Sequence, residues 1–334
     1  MSLVAAWYEP RPTLAAWLLS PLSLLFRWIV AARRALYAGG VLRVERLPVP
    51  VVVVGNVTAG GAGKTPLVIA LAEALRDRDF RPGVVSRGYG GSNRRPRAVA
   101  ADDDAADVGD EPPIIAAAGF PVWIAHDRAA AGRALLSAHP ECDVVLCDDG
   151  LQHYRLARDF EVAVVDQSRG FGNGLMLPAG PMREPESRLD EVDAVVRLVS
   201  GEAPRSDSGG RGSYTTHVAM PWRGVRDESR RGDPAAWRGA SVHAVAGIGH
   251  PQRFFAFVRA QGIAAAEHAF PDHHAYRASD LAFPGAAVIL MTQKDAVKCR
   301  RFADERFYYL PVRATVDPAL VALVEQKIRG SQAA

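Results

Sequence analysis

Residues 51–66 read Val-Val-Val-Val-Gly-Asn-Val-Thr-Ala-Gly-Gly-Ala-Gly-Lys-Thr-Pro, a β-branched run that leads into a glycine-rich turn. Four β-branched residues have the length of a strand buried on both faces, and the apolar residues at 67–80 recur with the period of a helix. The glycine-rich turn between them leads into a helix N-terminus, where unpaired N–H groups and the helix dipole favour a polyanion. The stretch predicts a phosphate-binding loop that carries Mg-ATP.

The residues of this loop have distinct expected roles. Gly60, Gly61 and Gly63 let the main chain approach phosphate oxygens without a Cβ in the way. Lys64 is expected to reach the β- and γ-phosphates, and the hydroxyl of Thr65 suits Mg²⁺. The predicted ATP-binding residues are Thr58, Ala59, Gly60, Gly61, Ala62, Gly63, Lys64 and Thr65.

The loop departs from the standard pattern G-x-x-x-x-G-K-[ST] at one position, because Thr58 replaces the first glycine. An ordinary glycine-rich turn is the alternative interpretation. The lysine content favours a nucleotide site, since only four of the 40 basic residues are lysine, at positions 64, 294, 298 and 327. A chain that uses arginine for most positive charges retains lysine at 64, where a compact ammonium group suits a phosphate loop.

The composition limits the class of protein. With 334 residues, 49% hydrophobic and 23% charged, the chain is globular and long enough for two domains. The net charge of +3 is small, and no basic tract is interleaved with aromatic residues, so nucleic acid is not an expected partner. Three cysteines form neither a disulfide framework nor a C-x-x-C metal site, which favours a reducing cytosolic setting.

Short apolar runs alternate with helical patterns, which predicts an α/β fold with a doubly wound, mostly parallel sheet like that of P-loop NTPases. A second, smaller α/β unit begins near Ser241, and we expect the Gly247-Ile248-Gly249 turn there to reflect close packing. The predicted domains are an N-terminal interfacial helix region (1–40), a P-loop kinase lobe (41–200), a linker or hairpin (201–238) and a smaller C-terminal α/β lobe (239–330).

A hydrophobic strand followed by two aspartates occurs at 143–149, as in a Walker B element that holds Mg²⁺. A tight turn is the alternative interpretation of the Asp-Asp-Gly end. The candidate metal ligands are Thr65, Asp148, Asp149 and Glu184. Further polar candidates for the site are Asn56, Arg87, Glu111, Gln152, His153, Asp272 and His274.

Residues 14–36 form an apolar N-terminal stretch that ends among Arg27, Arg33 and Arg34. Its uncharged part is too short to span a bilayer. The pattern favours an amphipathic helix in the membrane interface, with apolar side chains at the acyl boundary and arginines at anionic headgroups. A helix packed on the protein's own core is the alternative.

Together these motifs resemble the tetraacyldisaccharide 4′-kinase family, the lipid A 4′-kinases of Gram-negative bacteria. The resemblance covers about residues 10–300 and rests on segments in the same order. The segments are Gly55-Asn56-Val57-Thr58, the loop to Pro66, Ser86-Arg87-Gly88-Tyr89-Gly90, Gly109-Asp110-Glu111-Pro112, Asp148-Asp149-Gly150-Leu151-Gln152-His153, Leu177–Pro181 with Arg183-Glu184-Pro185, Asp272-His273-His274, and Thr292 with Lys294–Lys298.

The resemblance implies that the γ-phosphoryl group of ATP passes to the 4′-hydroxyl of a tetraacylated disaccharide 1-phosphate, a lipid A precursor. It also implies a peripheral protein on the cytoplasmic face of the inner membrane, with two lobes joined by a two-stranded linker. By the family pattern, Asp110 is the candidate catalytic base, working with His273 in preference to His274, and Lys64 completes the catalytic set.

Two other functions fit parts of the sequence. A membrane-docked ATPase or GTPase switch would act on a protein partner, and a soluble P-loop kinase would act on a small metabolite. Against GTP, the guanine-reading Asn-Lys-x-Asp pattern is absent from Thr292-Gln293-Lys294-Asp295. A soluble kinase would leave the apolar segment at 14–36 without a purpose.

Overall fold

The computed structural model describes residues 3–9, 11–199 and 212–332. Within them the strands are β1 (Val51–Gly55), β2 (Pro82–Ser86), β3 (Arg97–Ala98), β4 (Val122–Ile124), β5 (Val144–Asp148), β6 (Phe160–Asp166), β7 (Ala194–Val199), β8 (Gly212–Ala219), β9 (Arg223–Gly224), β10 (Val242–Ala246), β11 (Ala265–Ala269), β12 (Val288–Thr292), β13 (Phe307–Leu310) and β14 (Val312–Ala314).

The α-helices are α1 (Leu3–Ala6), α2 (Leu14–Ala38), α3 (Lys64–Arg76), α4 (Ala105–Val108), α5 (Pro112–Ala117), α6 (Arg128–Ala138), α7 (Pro251–Ala260), α8 (Gln293–Cys299) and α9 (Pro318–Gln332). Short 3₁₀ helices occupy Glu186–Asp190 and Ala278–Leu281. The strands form two sheets, which define a larger and a smaller lobe.

The sheet of the larger lobe has the order β14-β8-β7-β6-β1-β5-β2-β4-β3. All its pairings are parallel except those of the two edge strands, β3 and β14. Strand β1 lies near the middle, between β5 and β6. The loop that follows β1 therefore leaves the sheet at its centre, where open α/β sheets bind ligands.

The four valines of β1 explain why this strand lies inside. Val52 and Val54 face one hydrophobic core, together with the buried side of α3. Val51 and Val53 face the opposite core, together with α6. Because successive strand residues point to opposite faces, only a continuous apolar run suits a strand that is covered on both sides.

The smaller lobe has its own sheet, in the order β11-β10-β12-β13-β9, which is parallel except for β9. Helix α7 packs on one face of this sheet, and α8 packs on the other. The doubly wound, mostly parallel sheet and the second, smaller α/β lobe that the sequence predicts are thus confirmed.

The chain returns to the larger lobe at its C-terminal end. Strand β8, which lies in the predicted linker or hairpin at 201–238, pairs with β7 and with β14 and so extends the large sheet. Helix α9 packs into the core beside α3, although the sequence pattern placed 239–330 in the smaller lobe. Residues 201–211 of the predicted linker lie outside the described part of the chain.

Helix α2 covers 25 residues and is long and apolar enough to cross a membrane by length and composition, although the sequence suggested an uncharged run too short to do so. Thr13 caps its N-terminus by accepting a hydrogen bond from the Ala16 amide. Its buried residues are Ala16 and Ser23. The Ser23 hydroxyl donates to the Met176 carbonyl (2.6 Å), which fastens an otherwise exposed apolar helix to the larger lobe.

The docking of α9 gives a testable consequence for stability. Ile328 is fully buried in the core of the larger lobe, so Ile328→Ala should lower the free energy of unfolding by about 2–5 kcal/mol. The neighbouring Lys327 is exposed, and Lys327→Ala should change stability by less than about 0.5 kcal/mol. Chemical denaturation of both variants measures the difference. Equal stability of the two variants would contradict the docking of α9.

Candidate active site

The phosphate-binding loop joins β1 to α3, as its sequence predicts. Gly63 is the N-cap of α3 and adopts a left-handed conformation with φ of +78°. A Cβ at Gly63 would lie 2.7 Å from the ring of His217 and 2.8 Å from Leu198, so only glycine fits there. The next residue, Lys64, begins the helix, and the loop amides stand at its N-terminal end.

Lys64 is buried and has polar partners on two sides. Its Nζ donates to Oδ1 of Asn56 at 3.0 Å and lies 3.4 Å from Oδ1 of Asp149. Arg183 donates to both carboxylate oxygens of Asp149, at 3.1 and 3.0 Å. Burial opposes the ionisation of Asp149, but Lys64 and Arg183 outweigh it and hold the pKa of this carboxyl well below its usual range.

Asp148 contrasts with its neighbour. It is fully buried, and neither carboxylate oxygen has a hydrogen-bond partner among the described residues. Burial, followed by the negative charge of Glu111, raises the pKa of Asp148 to about 8. The hydroxyl of Thr65 is likewise buried without a partner in this part of the chain. Unsatisfied oxygens of this kind fit a hard cation such as Mg²⁺.

The other metal candidate, Glu184, is already satisfied. It accepts hydrogen bonds from Gln152 at 2.8 Å and from the hydroxyl of Tyr154. His153, which follows Gln152, accepts from the Arg128 amide at the start of α6, and burial lowers its pKa to about 4. The geometry therefore favours Thr65 and Asp148 as metal ligands over Glu184.

No group of three or more His, Cys, Asp or Glu side chains suited to a metal occurs in residues 3–9, 11–199 and 212–332. A Mg-ATP site does not need one. Mg²⁺ in nucleotide sites is held by one or two protein oxygens, by the phosphates and by water. The pair formed by Thr65 and Asp148 matches that pattern.

The structure brings Asp110 and His273 together, although they come from different lobes and are 163 residues apart. Nδ1 of His273 lies 3.0 Å from Oδ2 of the buried Asp110. Burial opposes both charges, but the hydrogen bond and the attraction between the two groups lower the pKa of Asp110 and raise that of His273. Tyr89 packs edge-on against His273, with ring centroids 4.9 Å apart, and limits its orientation.

The remaining polar candidates lie around this pair. Oδ1 of Asp272 accepts a hydrogen bond from the His273 amide at 3.1 Å, and Glu111 accepts one from Lys294. His274 turns away from Asp110, with its Nε2 3.1 Å from Oδ2 of Asp280. Arg87 is exposed and contacts His126. The geometry thus selects His273 over His274 as the partner of Asp110.

A cavity of about 260 Å³ lies between the lobes and opens onto the phosphate-binding loop. Its polar lining includes Lys64, Thr65 and Lys294. Its apolar lining comes from both lobes and includes Leu198, Ile248, Phe254, Phe257 and Leu310. A cavity that combines phosphate-binding groups with apolar walls suits a nucleotide.

Sequence reasoning missed three residues of this site. Arg183 pairs with Asp149, His217 packs against Gly63, and Lys294 reaches the cavity from the smaller lobe. A signal existed for two of them, because Arg183 and Lys294 lie in segments that carry the family resemblance and lysine is scarce in this chain. His217 belongs to a distant segment that the fold brings to the loop.

The parallel sheet, the phosphate-binding loop and the carboxylate–histidine pair together define a P-loop phosphotransferase with two lobes. A family model described as tetraacyldisaccharide-1-P 4′-kinase matches residues 15–329, and the chain belongs to this family. The resemblance seen in the sequence is thereby confirmed.

Relatives and a solved structure agree with this assignment. The chain is 50% identical over 316 residues to the tetraacyldisaccharide 4′-kinase of Azoarcus sp. (strain BH72), covering 94% of this chain and 92% of the relative. It is 48% identical over 329 residues to that of Stenotrophomonas maltophilia, covering 96% and 95%. It also resembles the crystal structure of LpxK from Aquifex aeolicus in complex with ATP, with a TM-score of 0.75, 28% identity, and coverage of 94% of this chain and 99% of that one.

The contrast between the two neighbouring aspartates is testable. Asp148→Asn should raise the Mg²⁺ concentration for half-maximal activity about tenfold or more, because it removes charge from a carboxylate that has no other partner. Asp149→Asn should act mainly on turnover, because Asp149 holds Lys64. Mg²⁺ titrations of both variants separate these effects. An unchanged titration curve for Asp148→Asn would assign this residue to a structural turn.

The pair of Asp110 and His273 should behave as one unit. Asp110→Ala and His273→Ala should each lower kcat by about 10²–10⁴-fold with little effect on ATP binding. The double variant should be little less active than the less active of the two single variants. His274→Ala is the matched control and should retain most activity, because His274 contacts Asp280. Losses that multiply in the double variant would contradict a shared function.

Proposed function

We propose that this protein is an ATP-dependent kinase that phosphorylates the 4′-hydroxyl of a tetraacyldisaccharide 1-phosphate, a precursor of lipid A. The match to the 4′-kinase family over residues 15–329 carries the proposal. The cavity between the lobes supports it, because the phosphate-binding loop lines it together with Glu111 and Asp272, the chain neighbours of the paired Asp110 and His273.

The residues of the loop would bind and orient the triphosphate. Lys64 and the loop amides neutralise phosphate charge, which is the main requirement of phosphoryl transfer. Thr65 and Asp148 would hold Mg²⁺, which supplies further charge neutralisation at the phosphate oxygens. Asp149 and Asn56 keep the Lys64 ammonium in place.

Asp110 would accept the proton of the 4′-hydroxyl while the oxygen of that hydroxyl bonds to the γ-phosphorus. The bond between that phosphorus and the oxygen bridging to the β-phosphate breaks, and ADP leaves. His273 holds the Asp110 carboxylate in position and stabilises its charge. Because His273 belongs to the other lobe, the pair is complete only when the lobes lie together, which limits loss of ATP to water.

Neither alternative function is favoured by the family assignment. The direct test incubates the purified protein with γ-labelled ATP, Mg²⁺ and a tetraacyldisaccharide 1-phosphate in detergent. We expect label on the lipid. The matched control is the same lipid already phosphorylated at the 4′-position, which should stay unlabelled. Label on neither lipid, or equally on both, would overturn the proposal.

Helix α2 would place the protein on the cytoplasmic face of the inner membrane, where the kinase meets ATP and its lipid. Its exposed apolar side chains include Trp17, Leu18, Leu22, Leu25, Trp28 and Ile29. Exposure of this much apolar surface is unfavourable in water and suits the acyl boundary of a bilayer. The arginines near its C-terminal end would meet anionic headgroups.

A membrane role of α2 predicts the behaviour of surface variants. The triple variant Trp17→Ser, Leu18→Ser, Trp28→Ser removes three exposed side chains and should weaken binding to anionic vesicles on the order of 100-fold or more. Val218→Ser removes an exposed apolar residue of the large sheet and is the matched control. Vesicle co-sedimentation measures both. Normal vesicle binding by the triple variant would exclude α2 as the anchor.

A further inference from the structure

Lysine is placed selectively in this protein. Only four of the 40 basic residues are lysine, and three of them, Lys64, Lys294 and Lys298, lie at the cleft between the lobes. The fourth, Lys327, is exposed on α9. Arginine supplies most of the positive charge of the chain, including that of Arg183 beside Asp149, so a lysine retained at these positions indicates a need for a compact ammonium group.

Lys294 enters the site from the smaller lobe. It lies in the first turn of α8 and lines the same cavity as Lys64 and Thr65 of the larger lobe. About a quarter of its side-chain surface (24%) is exposed, and the residue lines the cavity. The cavity therefore has one lysine from each lobe.

The partner of Lys294 in this structure is Glu111. Its Nζ donates to Oε1 of Glu111, which adjoins Asp110 in the chain. Glu111 and Lys294 line the cavity together with Lys64 and Thr65, so this ion pair lies close to the predicted metal and phosphate positions. Glu111 is the N-cap residue of α5, but its side chain makes no capping hydrogen bond. The carboxylate accepts a hydrogen bond from Lys294 instead.

We infer that Lys294 is a second phosphate-binding lysine. When ATP enters the cavity, Lys294 breaks its ion pair with Glu111 and binds the terminal phosphate instead. The inference rests on the proposed kinase function in taking ATP as the nucleotide. The terminal phosphate carries more negative charge than the single carboxylate of Glu111, so it attracts the ammonium group more strongly. The exchange links the smaller lobe, which carries His273, to the γ-phosphate.

A purely structural function for the pair gives different expectations. If Lys294 and Glu111 only joined the lobes, loss of either side chain would loosen the cleft and weaken ATP and ADP binding alike. A contact to the terminal phosphate affects ATP alone. The ratio of the dissociation constants for ADP and ATP therefore separates the two functions.

The experiment measures binding of Mg-ATP and Mg-ADP by titration calorimetry, without lipid, so that no turnover occurs. Lys294→Ala should weaken ATP binding about 10- to 100-fold, the loss expected for a hydrogen bond to a charged group, and should change ADP binding less than about threefold. Lys327→Ala is the matched control and should leave both constants unchanged. Equal losses for ATP and ADP, or no loss, would overturn the inference.

Glu111→Gln provides an independent measurement with the opposite sign. It removes the carboxylate that competes for Lys294, so ATP should bind more tightly, by up to about tenfold, with ADP unchanged. If the pair only joined the lobes, Glu111→Gln would weaken binding as Lys294→Ala does. A wild-type protein that binds neither nucleotide would overturn the kinase function as well, whereas normal ATP binding with an unaltered ratio in Lys294→Ala would overturn only this inference.

Discussion

The hydrogen bond between Asp110 and His273 depends on two hydrophobic cores being held in one arrangement. Asp110 precedes α5, which packs in the larger lobe, and His273 follows β11 of the smaller sheet. Strands β8 and β14 pair at the edge of the large sheet, and α9 anchors the chain end in its core. The chain therefore passes from the larger lobe to the smaller one and back, and this double connection sets how closely the two residues approach.

The charges of the cleft follow from the same arrangement. The larger lobe contributes Asp110, Glu111, Asp148 and Asp149, and ionised carboxylates so close together repel one another. Asp149 is stabilised by Lys64 and Arg183, and Asp110 by His273 and Lys298, whereas Asp148 has no such partner among the described residues. A cation bound at Asp148 would relieve its unfavourable burial, so the binding of Mg-ATP also stabilises the site that receives it.

The sequence predicted the features that are local in the chain. The phosphate-binding loop is local because the valines of β1, the loop glycines and Lys64 all lie within 16 consecutive residues. The strand that ends at Asp148 is equally local. Long-range features were not predictable from pattern. The docking of α9 depends on a surface made by other segments, and the partner of Lys294 lies 183 residues away. Glu184 looked like a metal ligand, but Tyr154 and Gln152 occupy its oxygens, and no spacing rule shows this. The choice of His273 over His274 came from family resemblance; in the structure, His273 has a left-handed backbone with φ of +59° and faces Asp110.

In the proposed mechanism, groups from both lobes meet at the γ-phosphate of ATP. A crystal structure of the protein with Mg²⁺ and a non-hydrolysable ATP analogue would show this meeting point. We expect the metal to contact Thr65 and Asp148, Lys64 to contact the β- and γ-phosphates, and the Asp110–His273 pair to face the γ-phosphorus from the side opposite the β-phosphate. A nucleotide bound away from the loop, or a γ-phosphate shielded from Asp110 by other side chains, would contradict it.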